Sequence, residues 1–366
     1  MKYNNPLRLL TLGLAFAFLV SCSDDDEQYV PIPPAVVTSP VVMDLTQVPY
    51  TNLSEYKFFD GDMKEQKPAY GVIPYQPASQ LFTDYAEKKR FIWLPKNTKA
   101  TYDADGKVLE LPVGAALIKT FYYNRVQPSN TTKIIETRVM IRKESGWIFA
   151  EYVWNDAQTE ATLSPGGNNV PLTWIDANDV TKSANYHIPS AAECFTCHNI
   201  NEVNVPIGIK PQNLNWNYAY TSGTQNQLQK LIDFGYLEDT LPENIVSTVD
   251  FNDTSKPLEL RARSYFDANC AHCHQDGGHA ENYAMRFPFS QTENRTNMGV
   301  CVSHTHYVPG FAGRLVTPGD IDRSMVYYRL TTDEVNLMMP YLGRTILHDE
   351  AVALVAEWIN SVTDCP

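Results

Sequence analysis

The feature that most constrains this chain is a five-residue pattern, Cys-x-x-Cys-His, that occurs twice. It stands once in ECFTCHN, at Cys194, Cys197 and His198, and again in NCAHCHQ, at Cys270, Cys273 and His274. Two thiols one helical turn apart can add to the two vinyl groups of one porphyrin edge, and the adjacent imidazole can then bind iron. This is the attachment signature of c-type haem. The competing reading is zinc, because two Cys-x-x-Cys pairs can build a four-thiolate site. The separation of 76 residues between Cys194 and Cys270 exceeds compact ribbon spacing, and a His after both pairs has no part in such a site. A redox disulfide is a weaker reading still, since no βαβ pattern surrounds either pair.

The N-terminus supplies the export route that covalent haem attachment requires. Lys2 and Arg8 precede an apolar run, LLTLGLAFAFLV, that is short for a membrane span. The run ends in LVSC, which resembles a bacterial lipobox, so residues 1–21 read as a signal peptide and Cys22 as the lipid-attachment residue. An ordinary secretory peptide with a chance Cys is the alternative. Residues 22–40, with SDDDE and PIPPAVVTSP, read as a flexible acidic and Pro-rich tether. Ser23 after the Cys resembles an outer-membrane lipoprotein, periplasm-facing or surface-exposed, and the acidic run resembles a surface-export tag or a plain solvated spacer. The formal charge of −13 makes nucleic acid a poor partner and is compatible with a redox partner protein.

Of seven cysteines, Cys301 and Cys365 remain unassigned. In an oxidising compartment they are expected to form a disulfide; two buried free thiols are the alternative.

The expected fold class is α+β and multidomain, with a β-rich, sandwich-like N-terminal domain followed by a mainly α, cytochrome c-like haem region. Residues 41–185 carry alternating strands at RFIWLP, AALIKTFYY, KIIETRVMIRK and GWIFAEYVW, separated by turn signals at DADG, QPSN and SPGGNN. Residues 186–254 form the first haem-binding segment. They include a short helix in QNQLQKLIDFG, with Leu228, Leu231 and Ile232 on one face and Gly235 as its stop. Residues 255–366 form the second-haem domain. Its first helix runs into Cys270, with Ser255 as candidate N-cap and Pro257 in the first turn; its last lies in HDEAVALVAEWINSV, with Val352, Val355, Ile359 and Val362 aligned.

Small c-type domains run helix, CxxCH, Met loop, C-terminal helix, and residues 255–362 follow that order. In LMMPYLG, Met339, directly before Pro340, is expected to be the second axial ligand of the haem held by His274, with Met338 as the neighbouring alternative. The first haem has neither Met nor His between His198 and Cys270. Its sixth ligand is left open among Met285, Met298, Met325, His187, His279, His304 and His306, a water, or an empty position.

The motifs resemble those of a family of bacterial diheme c-type cytochromes. The resemblance rests on LFTDYAEKKRFIWLP, LPVGAALIKTF, IIETRVMIRKESGW, YVWNDAQTEATL, IPSAAECFTCHN, RARSYFDANCAHCHQDGG, GRLVTPGDIDRSMVYYRL and MMPYLG, most of the chain beyond residue 75. It implies two covalent c-type haems on Cys194, Cys197 and His198 and on Cys270, Cys273 and His274, with Met339 as a ligand, and an electron-transfer role in the cell envelope. Three function classes follow. The leading one is a non-catalytic electron carrier. The second is a diheme oxidoreductase, peroxidase-like or part of a dehydrogenase complex, that uses an open position on the first haem. The third is a carbohydrate-binding or structural lipoprotein, which leaves the two motifs unexplained.

Overall fold

The alternating segments of the β-rich half pair into one antiparallel sheet. In the computed structural model, which describes residues 37–306 and 308–366, its strands are β1 (Ile73–Pro74), β2 (Glu87–Trp93), β3 (Ala116–Val126), β4 (Thr131–Lys143), β5 (Gly146–Trp154), β6 (Ala161–Leu163), β7 (Asn168–Ile175) and β8 (Thr181–Ile188). Strands β1 to β6 lie in sequence order; β7 joins through the end of β3 and pairs with β8. The signal segment and Cys22 lie outside the described residues, as does the tether up to residue 36.

The sandwich expectation needs correcting: the eight strands belong to one hydrogen-bonded sheet, not two stacked ones. What covers the sheet is mostly not more sheet. On one face Phe91, Trp93, Ile118, Val139, Ile141 and Tyr152 pack under Leu53, Tyr56, Phe58 and Val72 of the N-terminal segment. On the other, Ile92, Leu117 and Trp147 pack under Ile209, Leu214, Leu228, Leu231 and Leu237. The β7–β8 hairpin lays Leu172, Trp174 and Tyr186 against Phe121 and Tyr123. Both faces are therefore buried, and alternation along a strand separates two interiors and not core from solvent.

Helices follow at α1 (Ala191–Cys197), α2 (Pro211–Leu214), α3 (Gln227–Phe234), α4 (Leu258–Asn269), α5 (Met325–Thr331) and α6 (Asp349–Ser361). Helix α3 starts at Asn226, whose side chain accepts from Leu228 and Gln229 N–H, and stops at Gly235 with φ 85°, a left-handed cap that favours glycine. Helix α4 corrects the expected cap. Pro257, not Ser255, is its N-cap residue, because the Ser255 hydroxyl is engaged at 2.6 Å by Asp253 in the preceding turn. The C-terminal core joins Tyr265 and Phe266 of α4 to Leu354, Val355, Trp358 and Ile359 of α6. The expectation of a mainly α region is also too strong: α4, α5 and α6 frame residues 255–366, but long loops make up most of its length.

Residues Thr38–Pro366 pack as one compact unit. The loop before β2 stitches its parts together: Asn269 accepts from Phe82 N–H at 2.7 Å, and buried Asp84 accepts from Thr345 and Ile346 N–H at 2.6 and 3.1 Å. The structure joins Cys301 to Cys365, with Cα atoms 5.6 Å apart, tying the C-terminal residues to Cys301, which packs against the C-terminal core.

Candidate functional site

Helix α1 carries the first motif and is fixed by its own start. Ser190 accepts from Glu193 N–H while the Glu193 carboxylate accepts from Ser190 N–H at 2.7 Å, a reciprocal capping box. One turn on, Cys194 and Cys197 leave the same helix, and His198 caps it. The second motif follows the C-terminus of α4, with Cys270 as cap residue. The local geometry is the same in both: the His198 N–H reaches the Cys194 carbonyl at 2.9 Å, and the His274 N–H reaches the Cys270 carbonyl at 2.9 Å. That closed turn sets two sulfurs and an imidazole on one side of the backbone.

The two imidazoles are prepared differently. His198 Nδ1–H donates to the Val205 carbonyl at 2.9 Å, which leaves Nε2 with its lone pair free, the arrangement a metal-binding histidine uses. His274 is buried, stands edge-on to Phe287 at 5.5 Å, and its Nδ1 has no partner among the described residues. Burial pushes both rings down to about 4, so both are neutral at pH 7. Cys194 is buried with its thiol hydrogen-bonded to Glu151, and burial raises both groups, Glu151 to about 7. Burial likewise raises Cys270 to about 12, so neither thiol is a thiolate at neutral pH.

Each motif opens on its own cavity. The first, partly open to solvent, lies between the sheet and α1 and is lined by Cys194, Cys197 and His198. The second is lined by Cys270, Cys273, His274 and Met339, and Cys197 of the first motif borders it too. Met338 is not among its lining residues, so of the two methionines Met339 faces the cavity. Its backbone N–H is pinned to the Arg329 carbonyl at 2.8 Å. The short loop after it serves both sites, since Pro340 and Leu342 line both cavities.

The motifs meet. Cys197, His272 and Cys273 bring their ligand atoms within 4.8 Å of one another, although the two cysteines are 76 residues apart in sequence. Cys273 Sγ donates to the Thr196 carbonyl at 3.9 Å and lies close to the Cys197 sulfur, a proximity that holds Cys197 well below its ordinary range and pushes Cys273 up. Cys194 and Cys270 lie outside this group, so the described residues do not assemble the four-cysteine arrangement of a zinc ribbon.

The open ligand question narrows. Met298 and Met325 are buried in the C-terminal core, and Met285, His279 and His306 line the second cavity. His304 bonds the His306 carbonyl at 2.9 Å. Of the residues singled out for the first haem, His187 lines the first cavity, but its ring nitrogens are engaged by Asn169 at 2.9 Å and Glu193 at 3.0 Å. Met140, Lys119 and His272 also line it and were not singled out in the sequence. Met140 and Lys119 sit mid-strand, where alternation hides them; His272 sits inside the second motif.

The residues fit a c-type haem at each motif on three observations: paired thiols and a neutral imidazole on one turn, a cavity at each, and buried polar atoms without partners at His272 Nδ1, His274 Nδ1 and Glu151 Oε2. Comparison with family models, with curated proteins and with solved structures returned no match to this chain.

Proposed function

We propose that this chain is a diheme c-type cytochrome, akin to the bacterial family its motifs resemble, that carries electrons in the cell envelope as a lipoprotein anchored through Cys22. The observation that carries the reading is the recurrence of the Cys-x-x-Cys-His turn, each with a neutral imidazole and a cavity beside it. Haem supplies the one-electron chemistry when bound. The chain's own contribution is placement. His198 and His274 offer neutral imidazoles; Met339 offers a soft thioether across the second cavity, which favours the reduced iron. Phe149 lines the first cavity, Phe287 the second and Leu342 both, and these apolar side chains would shield a bound haem from water. A partner protein is expected to exchange electrons at an exposed edge, with Tyr341 and Tyr283 beside the second cavity and open to solvent.

A second reading keeps one specific support. In the first cavity His187 is held by both ring nitrogens, which favours an iron open on one side and so a peroxidase-like or dehydrogenase-linked oxidoreductase.

The decisive experiment is haem staining of the matured chain after SDS denaturation, with pyridine haemochrome counting. Two haems per chain are expected. Colourless protein holding zinc at Cys197 and Cys273 would refute the cytochrome reading. Carbon monoxide added to the reduced protein separates carrier from enzyme: binding at one iron favours the oxidoreductase.

A further inference from the structure

One face of the sheet carries a row of charge where a core would ordinarily be apolar. Arg90, Lys119, Arg138 and Glu151 are successive cross-strand partners on β2, β3, β4 and β5, so their side chains leave the same face in a single line. The next line is Ile92, Leu117, Met140 and Phe149, apolar throughout. Both lines, Ile92 apart, floor the first cavity, which is therefore cationic along one strip and apolar along the other.

The cations are not balanced. Arg90 is 6% exposed, donates to Gln80 at 3.0 Å, and makes no ion pair among the described residues. Lys119 also makes none and lies 4.7 Å over the Phe121 ring. Arg138 takes the Glu136 carboxylate at 2.6 Å, which Tyr186 also uses. Glu151 is pushed up to about 7 by burial and brings only part of a charge. Burial pushes Arg90 down to about 10, and burial together with the neighbouring arginines pushes Lys119 well down. Buried cations without partners cost several kcal/mol each, so such rows are found opposite anions.

Resting on the cytochrome reading, we infer that Arg90 and Lys119, with Arg138 beside them, bind the two propionates of the haem carried by Cys194 and Cys197, so that its acidic edge points into the protein. The line itself orients the cofactor. Cys194 lies beside Glu151 at one end, a placement its sulfur keeps after the thiol hydrogen is lost to thioether formation, and Arg90 lies three strand spacings away, about 14 Å. The thioether and propionate edges of a c-type haem are on opposite sides of the ring. Anchoring the sulfur edge at Glu151 puts the acidic edge at Lys119 and Arg90 and lays the apolar ring on Leu117, Met140 and Phe149.

The test uses the full, matured protein and compares Arg90→Gln and Lys119→Met with Lys96→Gln, an exposed lysine on the neighbouring loop. Haem count, the two reduction potentials and the propionate bending band in the resonance Raman spectrum are read together. The expected result is two haems, one potential displaced downward, a shifted propionate band, and no change in the control. If Arg90→Gln does not accumulate, Arg90→Lys is expected to keep the band and Lys119→Met to move it. Two haems with wild-type potentials and band in Arg90→Gln and Lys119→Met would overturn the inference while leaving the cytochrome reading intact. Absence of haem from the wild type would overturn both. Inorganic phosphate or succinate is expected to leave the wild-type potentials unchanged; a saturable shift, lost in Arg90→Gln, would assign the row to a free anion and overturn the propionate assignment.

Discussion

His348 makes the junction between the sheet half and the C-terminal core sensitive to acid. It precedes α6 and stacks on Phe82 at 4.0 Å with an 11° tilt, with Tyr85, Phe251 and Tyr265 closing round it at 5.6–5.9 Å. Its side chain is 12% exposed, and Nε2 is 3.8 Å from the Glu350 carboxylate. Burial pushes its protonation from 6.5 down to about 4, outweighing the pull of Glu350 and Asp349, while Lys88 and Lys182 press in the same direction as burial. The folded ring therefore stays neutral where the unfolded ring takes a proton. Its contribution is complete above pH 6.5 and is lost as pH falls towards 4. At about 1.4 kcal/mol per pH unit, that interval is worth about 3 kcal/mol. Replacing His348 with Phe keeps an aromatic ring on Phe82 and removes the titration. Urea unfolding followed by tryptophan fluorescence at pH 7, 6, 5 and 4 is expected to show the wild type losing about 3 kcal/mol more than His348→Phe across that range. Parallel stability profiles for the two proteins would refute the argument.

Three further outcomes are expected. Met339→Ala should lower the potential of one haem and remove its Met–iron charge-transfer band, while Met338→Ala should leave both; the reverse pattern would exchange the ligands. Replacing Cys301 and Cys365 by Ser opens a link between residues 64 apart, and chain-entropy reasoning puts the loss in unfolding free energy at about 4 kcal/mol, measured by denaturant titration; a loss below about 1 kcal/mol would show that the link does not constrain the unfolded chain. Trp358 is fully buried against Phe266 and donates to Glu259 at 2.9 Å, so Trp358→Ala should cost about 3–5 kcal/mol by the same assay, and a near-neutral result would refute its place at the centre of the C-terminal core.

Much of the fold was legible because its signals are local. The alternation of KIIETRVMIRK and GWIFAEYVW gave β4 and β5, and Gly235 ended α3 where a left-handed residue was needed. The motif turns were legible for the same reason. Ser255 misled because Asp253, two residues back, competes for its hydroxyl. The cationic line was invisible for a different reason. Arg90, Lys119 and Arg138 occupy the alternate positions that period-two reading assigns to solvent, and only the long-range layers over both faces bury Arg90 and half-bury the other two. The Ser190–Glu193 capping box is a local signal too, written in the sequence as Ser-x-x-Glu ahead of the first motif. The meeting of Cys197 with Cys273 depends on how α1 and α4 are carried by elements far apart in sequence, and no local pattern encodes it.

The loop after Met339 has a consequence for damage. Because Pro340 and Leu342 border both cavities, a displacement of those few residues is felt on two sides at once. Oxidation of Met339 to its sulfoxide makes the side chain polar and changes its shape. A lesion at that single sulfur would disturb the shared lining at Pro340 and Leu342, so oxidative injury at one site would reach the wall of the other.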